Sequence, residues 1–287
     1  MEHIVEFANS GDFEHLAAMW RMAFADTDEY IKTFFDTMYK DGYAIVSREE
    51  GIAVACAYLL PCQTVINGRL YSTYYLYAAT THPSHRNKGH MSAIMHKAEE
   101  VAVERGIDYI VLVPAEEYLF NYYAKFGYQT AFYKKVVHFT REELKGKAVE
   151  PDLTNAYSLD LLNIRQSCLG FGDYINWGTE GIKYAMYAHN ASSGSIAFTS
   201  DGYAMYNMGK NVAYIKEMCT LADPGELYTM LLLEEEADRF TFNLPVNSNI
   251  HSPDERITKV GMLLALNENA QIGATEMRNA YIGLTLG

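Results

Sequence analysis

Three groups of residues in this 287-residue chain have types and spacings that suit chemistry. The first is Arg86, Lys88 and Gly89, within THPSHRNKGHMS, where a strand-like run gives way to a helix-like one. A helix start exposes backbone N–H groups that lack intrahelical acceptors, a glycine permits close approach, and neighbouring cations add charge. The chemistry that fits is the cradling of a phosphate. The second is Tyr123, four residues before Gly127 in NYYAKFGY, a phenol that can donate a proton or simply pack as one of 23 tyrosines. The third is His82, His85, His90 and His96. Their spacing is irregular, they straddle a turn and a helix, and no cysteine or acidic residue stands among them, so no metal site is expected.

The phosphate turn belongs to neither of two familiar nucleotide motifs. A P-loop needs an earlier glycine and a Ser or Thr after the lysine, and HPSHRNKGHMS has neither. A dinucleotide fingerprint needs three glycines near the start of a βαβ unit.

The elements around these residues read as follows. HIVEFA (3–8) is a short strand, and residues 12–24 place Phe13, Leu16, Met19, Trp20 and Phe24 at helical spacing with Asp12 as cap. A second helix, started by Asp26 or Thr27, runs through DEYIKTFFDTMY. YAIVSR (43–48) and residues 52–66 form a hairpin across Glu50-Gly51, and Asn67-Gly68 turns the chain into LYSTYYLYAAT. Residues 88–105 are an amphipathic helix with Met91, Ile94, Met95, Ala98 and Val101 on one face. DYIVLVP (108–114) has the continuous apolar character of a strand covered on both faces. A short helix stopped by Gly127 and a long strand, 128–140, complete the first half.

The polar run 140–155 marks a domain boundary, which divides the chain into 1–140 and 141–287. Beyond it lie helical stretches at 154–170 and 179–190, strands at 195–200, 202–209 and 211–220, a helix across 223–240, and a strand at TFNLPV. Residues 257–266 and 280–287 read as closing strands. NVAYIKEMCTLADPGELYTM…FTFNLPV repeats the strand, turn, helix, strand order of the phosphate-turn segment but has no Arg-x-x-Gly, so it reads as a duplicate that has lost the cradle.

Hydrophobic residues make up 49% and charged residues 21%, the balance of a globular protein with a real core in each half. The net charge is −13, with both halves acidic, which disfavours nucleic-acid partners and suits cationic substrates or plain solubility. No apolar run approaches the roughly 20 residues needed to span a bilayer, and the N-terminus lacks a secretion signal, so a cytoplasmic protein without membrane partners is expected. Cys56, Cys62, Cys168 and Cys219 form no CxxC pair and read as small hydrophobes in a reducing compartment.

Over roughly residues 3–140 the sequence resembles the GNAT N-acetyltransferase superfamily. That family carries Arg/Gln-x-x-Gly-x-Gly/Ala between a strand and the following helix, matched here by Arg86-Asn87-Lys88-Gly89-His90-Met91 after Thr81-His82-Pro83. It also carries Tyr-x-Lys-x-Gly-Phe/Tyr after the next strand, matched by Tyr123-Ala124-Lys125-Phe126-Gly127-Tyr128. Met91 departs from the pattern. A bulky side chain there blocks close approach unless it turns into the core, which its place beside Ile94 and Met95 favours. A large apolar residue at this point, with a degenerate second unit, is similar to the multi-domain enhanced-intracellular-survival branch, although the chain is too short for that branch's third domain.

The resemblance implies an α/β (α+β) fold: a mixed, mostly antiparallel sheet flanked by helices, followed by a degenerate GNAT-like second domain. It implies an acyltransferase with acetyl-coenzyme A as co-substrate and a small, cationic primary amine as acceptor. The diphosphate would rest on the amides of Asn87, Lys88, Gly89, His90, Met91 and Ser92 with the charges of Arg86 and Lys88. The pantetheine arm would pair with the backbone of Ala79, Thr80 and Thr81 as an added strand, and Tyr123 would be the general acid. For the general base, Asp26, Asp28, Glu29, the Gly287 carboxylate and a water relay all remain open. Tyr71, Tyr74, Tyr75 and Tyr77 either line an acceptor pocket or pack the sheet. The alternative function is an acyl-coenzyme A binding or sensing protein without turnover.

Overall fold

The computed structural model describes residues 3–24, 26–150, 160–234 and 236–286. The chain divides into two compact units. The first comprises Met1–Thr64, Leu70–Thr130 and Gly261–Glu276; the second comprises Val65–Arg69, Ala131–Val260 and Met277–Gly287.

The first unit begins with β1 (Ile4–Phe7), α1 (Phe13–Ala23), α2 (Asp28–Thr37), β2 (Ala44–Glu49), β3 (Ile52–Ile66) and β4 (Arg69–Thr81). It continues with α3 (His90–Glu104), β5 (Tyr109–Leu112), α4 (Glu117–Ala124) and the start of β6 (Gln129–Thr140). The second unit carries the rest of β6, α5 (Arg141–Lys145), α6 (Leu161–Leu169), β7 (Tyr174–Asn176), α7 (Gly178–Ala191), β8 (Ser195–Phe198), β9 (Gly202–Gly209), β10 (Val212–Thr220), α8 (Gly225–Leu232) and β11 (Arg239–Leu244). β12 (Arg256–Ala265) and α9 (Glu268–Glu276) return the chain to the first unit.

In the first unit β1 to β5 lie in sequence order, and residues 262–265 of β12 add antiparallel to β5. Adjacent strands are antiparallel at β1/β2 and β2/β3, and β4/β5 is parallel through Thr73↔Tyr109 to Tyr75↔Val111. The parallel pair needs a crossover, and α3 supplies it. Asn67 and Gly68 both take positive φ (48° and 75°), the geometry that matches a two-residue turn to the sheet twist. β5 is buried along its whole length, as its unbroken Tyr-Ile-Val-Leu composition requires. In the second unit the order is β6-β11-β10-β9-β8, with β10/β11 parallel and the other pairs antiparallel. Each unit is therefore a mixed, mostly antiparallel sheet with one helical crossover.

β4 divides its aromatic residues between two faces. Tyr74 and Leu76 join the core formed with Ile94, Met95, Ala98, Ile110 and Leu112. Tyr75 and Tyr77 stack on each other at 5.6 Å on the opposite face, where Tyr77 also meets Trp20 at 5.5 Å and Phe34 at 5.6 Å. These tyrosines, with Tyr71 edge-on to Tyr109, take part in sheet packing.

Several local expectations change. Asp12 does not cap α1; it is buried, accepts from the Asn9 amide, and binds Arg48 through both oxygens at 2.6 and 2.7 Å. Thr27, not Asp26, caps α2 by accepting from the Tyr30 amide. α8 ends at Leu232, eight residues short of the expected 240, because Arg239 and Phe240 already pair with β6. Residues 280–286 make isolated bridges, Phe132↔Ala280 and Tyr174↔Tyr281, in place of a strand; left-handed Asn279, Gly283 and Leu286 break the extension. β7 and α9 were not expected. The N-terminal end of the 154–170 helix falls partly outside the described residues, and its described part starts at Leu161.

Candidate functional site

β4 outruns its parallel neighbour. β5 stops at Leu112, whereas β4 continues from Tyr75 to Thr81. Within that extension Ala78 has φ +46°, a left-handed conformation that costs a non-glycine residue about 1–2 kcal/mol and interrupts the pleat. Ala79, Thr80 and Thr81 follow, with Ala79 and Thr81 half-buried and Thr80 buried. Ala79 packs against the same core as Tyr74 and Leu76.

The turn after β4 is built for open amides. Pro83–His85 forms a single 3-10 turn, fixed by the His85 amide donating to the His82 carbonyl at 2.9 Å. Arg86 is extended, Asn87 is left-handed at φ +62°, and Gly89 is left-handed at φ +92° in the N-cap position of α3. Glycine brings no side chain to cap the helix, so the first amides of α3 face the turn without the usual hydroxyl or carboxylate acceptor. A Cβ on Gly89 would lie 3.0 Å from His3 Nε2 and be strained besides. Arg86, Asn87, Lys88 and Gly89 are exposed, His90 is buried, and Met91 and Ser92 are half-buried. Met91 packs against the core with Ile94 and Met95, so its bulk points away from the turn.

The cations of the turn have partners. Arg86 Nε donates to the Thr81 carbonyl at 3.3 Å, and Lys88 Nζ lies 3.1 and 3.2 Å from the two Glu49 oxygens. Glu49 also meets His85 Nδ1 at 2.7 Å and His90 Nε2 at 3.3 Å. The hydrogen bonds from His85 and then Lys88 hold its carboxyl down to about 2. His90 in turn meets buried Ser47 through Nδ1 at 2.9 Å, and its burial opposes protonation. An acidic residue thus does join His85 and His90, contrary to expectation, but it comes from the end of β2. His82 stays apart on Ser84, and His96 is exposed against Phe126.

Tyr123, on α4, is buried in the core that Met91 and Ala79 also touch, with its ring 5.3 Å from Tyr122 and 6.1 Å from Tyr128. Burial pushes its phenol up to about 12, so it carries its proton across the neutral range. The hydroxyl of Tyr128 is buried without a hydrogen-bond partner among the described residues. Among the acidic residues considered as base, Asp26 accepts from Trp20 Nε1 at 2.8 Å, Asp28 pairs with Arg21 at 2.5 Å in solvent, and Glu29 is exposed in the first turn of α2. Gly287 lies outside the described residues. Glu49, Ser47 and His3 were missed, because they are remote in sequence from the turn and carry no local signal.

Residues 5–131 match the model of the family described as Acetyltransferase (GNAT) domain. The chain carries a GNAT acetyltransferase domain. That is the domain of an acyltransferase, and the strand, open turn and helix described above lie within its residues. Solved structures share the fold of both units. A conserved Enterococcus faecalis V583 protein of unknown function has a TM-score of 0.74 at 14% identity, covering 94% of this chain and 74% of that one. A GCN5-related N-acetyltransferase from Kribbella flavida has a TM-score of 0.71 at 16% identity, covering 95% and 74%. Eis1 from Mycobacterium abscessus has a TM-score of 0.68 at 13% identity, covering 95% and 76%. No curated protein sequence matches the chain. No helix among the described residues is long and apolar enough to cross a membrane.

Proposed function

We propose that this protein transfers an acetyl group from acetyl-coenzyme A to the primary amine of a small cationic molecule. The observation that carries the proposal is the uncapped start of α3, where left-handed Asn87 and Gly89 present amides beside a strand that runs on past its neighbour. The amides of Asn87 to Ser92 hold the diphosphate, aided by the charges of Arg86 and Lys88. The Ala79–Thr81 backbone receives the pantetheine amides, and an amide at the end of β4 donates to the developing oxyanion of the thioester.

The amine attacks the thioester carbonyl, and its proton leaves to solvent water, since Asp26 and Asp28 are engaged elsewhere. The carbon–sulfur bond then breaks as Tyr123 donates a hydrogen bond, and finally its proton, to the leaving sulfur, and the phenolate takes a proton back from solvent water. A thiol ordinarily titrates near 8.5 and Tyr123 near 12, so the phenol serves best while negative charge is building on sulfur. The 1–140 region is the catalytic domain and 141–287 a degenerate GNAT-like partner. The net charge of −13 supports a cationic acceptor over a nucleic acid. Four free cysteines suit the reducing cytoplasm.

Titration with acetyl-coenzyme A, followed by thiol release with a panel of polyamines, aminoglycosides, amino acids and peptides, tests this. Saturable binding with turnover on a cationic amine is expected. Binding without turnover on any amine would favour the sensing role, and no binding at all would remove both.

A further inference from the structure

Glu49, His85 and His90 come from three different elements: the last residue of β2, the 3-10 turn and the first residue of α3. One donor atom from each lies within 4.8 Å of those of the other two, and Glu49 Oε2 faces both His85 Nδ1 and His90 Nε2. Two of the three separations are 2.7 and 3.3 Å, against an edge of roughly 3.3 Å for a tetrahedral site with metal–ligand bonds near 2.0 Å.

The surroundings favour a cation at this point. His90 is 3% exposed and fixed at its other ring nitrogen by Ser47, which is fully buried. Ser47 Oγ engages His90 Nδ1 at 2.9 Å, which leaves Nε2 as the ring nitrogen turned toward Glu49 Oε2 at 3.3 Å. A ligating imidazole held through its second nitrogen is the usual support of a metal site. Glu49, by contrast, is partly exposed, so its carboxylate can turn by the few tenths of an ångström that coordination requires.

We infer that Glu49, His85 and His90 form a binding site for a divalent transition cation of the Zn²⁺ class, completed by water. Two imidazoles and one carboxylate select borderline metals such as Zn²⁺, Co²⁺ or Ni²⁺ over Mg²⁺ and Ca²⁺, which prefer all-oxygen shells. The inference does not depend on the coenzyme reading, since no coenzyme atom is among the ligands. Lys88 competes for the same carboxylate, and a bound metal displaces it.

Calorimetric titration of the full chain with Zn²⁺, without coenzyme, tests the site. A single saturable site is expected. Glu49→Gln and His85→Ala each weaken it at least about tenfold, Ser47→Ala weakens it less, and His96→Ala leaves it unchanged. Lys88→Ala tightens it about two- to threefold by removing the competing ammonium. Side-chain ¹⁵N resonances of His85 and His90 shift on Zn²⁺ addition while those of His96 stay, which keeps the inference testable if any variant unfolds. Zn²⁺ binding absent from the native chain, or undiminished in both Glu49→Gln and His85→Ala, overturns it.

Discussion

The β4-α3-β5 and β10-α8-β11 crossovers are the same device with opposite contents. Both pair their strands in parallel, through Tyr75↔Val111 in one and Ile215↔Phe242 in the other. Both first strands become irregular soon afterwards, at left-handed Ala78 and at a bulge between Ile215 and Glu217, and both run on to a helix. In the first unit the residues past the irregularity are small, and the helix start is open. In the second, Glu217 is fully buried against Arg165, with Arg165 Nε at 3.0 Å and the Tyr203 hydroxyl at 2.7 Å from Oε1. Arg165 also donates to the carbonyls of Ile175 and Ile282.

The helix starts differ in the same sense. Gly225 at the head of α8 donates to the Asp223 carboxylate at 2.9 Å, and a Cβ on it would lie 2.7 Å from Val149. The Val149 amide bonds back to the Gly225 carbonyl, and Thr229 Oγ1 donates to the Val149 carbonyl. A carboxylate and a chain segment thus occupy the place where an anion would rest. One crossover leaves its helix start without a side-chain cap, and the other satisfies its own with Asp223 and the Val149 segment.

Breaking the second crossover should cost stability alone. Glu217→Ala leaves the Arg165 guanidinium buried without its counter-charge and should lower unfolding free energy by about 3–5 kcal/mol in urea, with the folded fraction still binding acetyl-coenzyme A. A loss under about 1 kcal/mol would mean that the pair is not what fills the unit. Breaking the first should cost binding. Gly89→Asp puts a carboxylate and a strained residue at the helix start, and acetyl-coenzyme A affinity should fall about 100-fold by fluorescence or calorimetry. Unchanged affinity would remove the cradle assignment.

Tyr123→Phe separates binding from chemistry: kcat should drop about 100-fold while the coenzyme Kd stays within about twofold. Because Tyr123 keeps its proton to about pH 12, no basic limb in kcat should arise from it across the working range. A decline that Tyr123→Phe abolishes would contradict that assignment. The smaller effects sharpen the contrast. Asp223→Ala should cost about 1 kcal/mol as a lost hydrogen bond to the Gly225 amide yet create no second coenzyme site, since the Val149 segment still covers α8. Ala78→Gly should stabilise the first unit by about 0.5–1 kcal/mol in thermal melts by relieving the left-handed backbone.

The local geometry of the candidate site was legible because its signals are local. Arg86 to Ser92 and Tyr123 to Tyr128 are short motifs whose residues meet through one helix start and one helix end, and sequence spacing alone sets such geometry. Met91 was readable for the same reason: its place on the apolar stripe with Ile94 and Met95 already pointed its side chain inward. The Glu49 contacts were not, because 36 or more residues separate it from His85, Lys88 and His90, and only the β2–β3–β4 pairing brings them together. Asp12 misled for a related reason. A residue that suits a helix cap by type was taken instead by Arg48, since a buried bidentate pair outweighs a solvent-exposed cap.

The amino-acid sequence by itself determined the strand and helix order from β1 to β6, the Asn67-Gly68 turn, the open glycine at the start of α3 and the absence of Arg-x-x-Gly from the second crossover, because each rests on periodicity or on one residue's backbone freedom. The tertiary structure alone decided that residues 262–265 pair with β5, that Glu49 gathers two histidines and a lysine, and that Glu217 and Asp223 close the second crossover. Those outcomes turn on which distant groups a buried charge or an unpaired strand edge finds, and no local pattern encodes that.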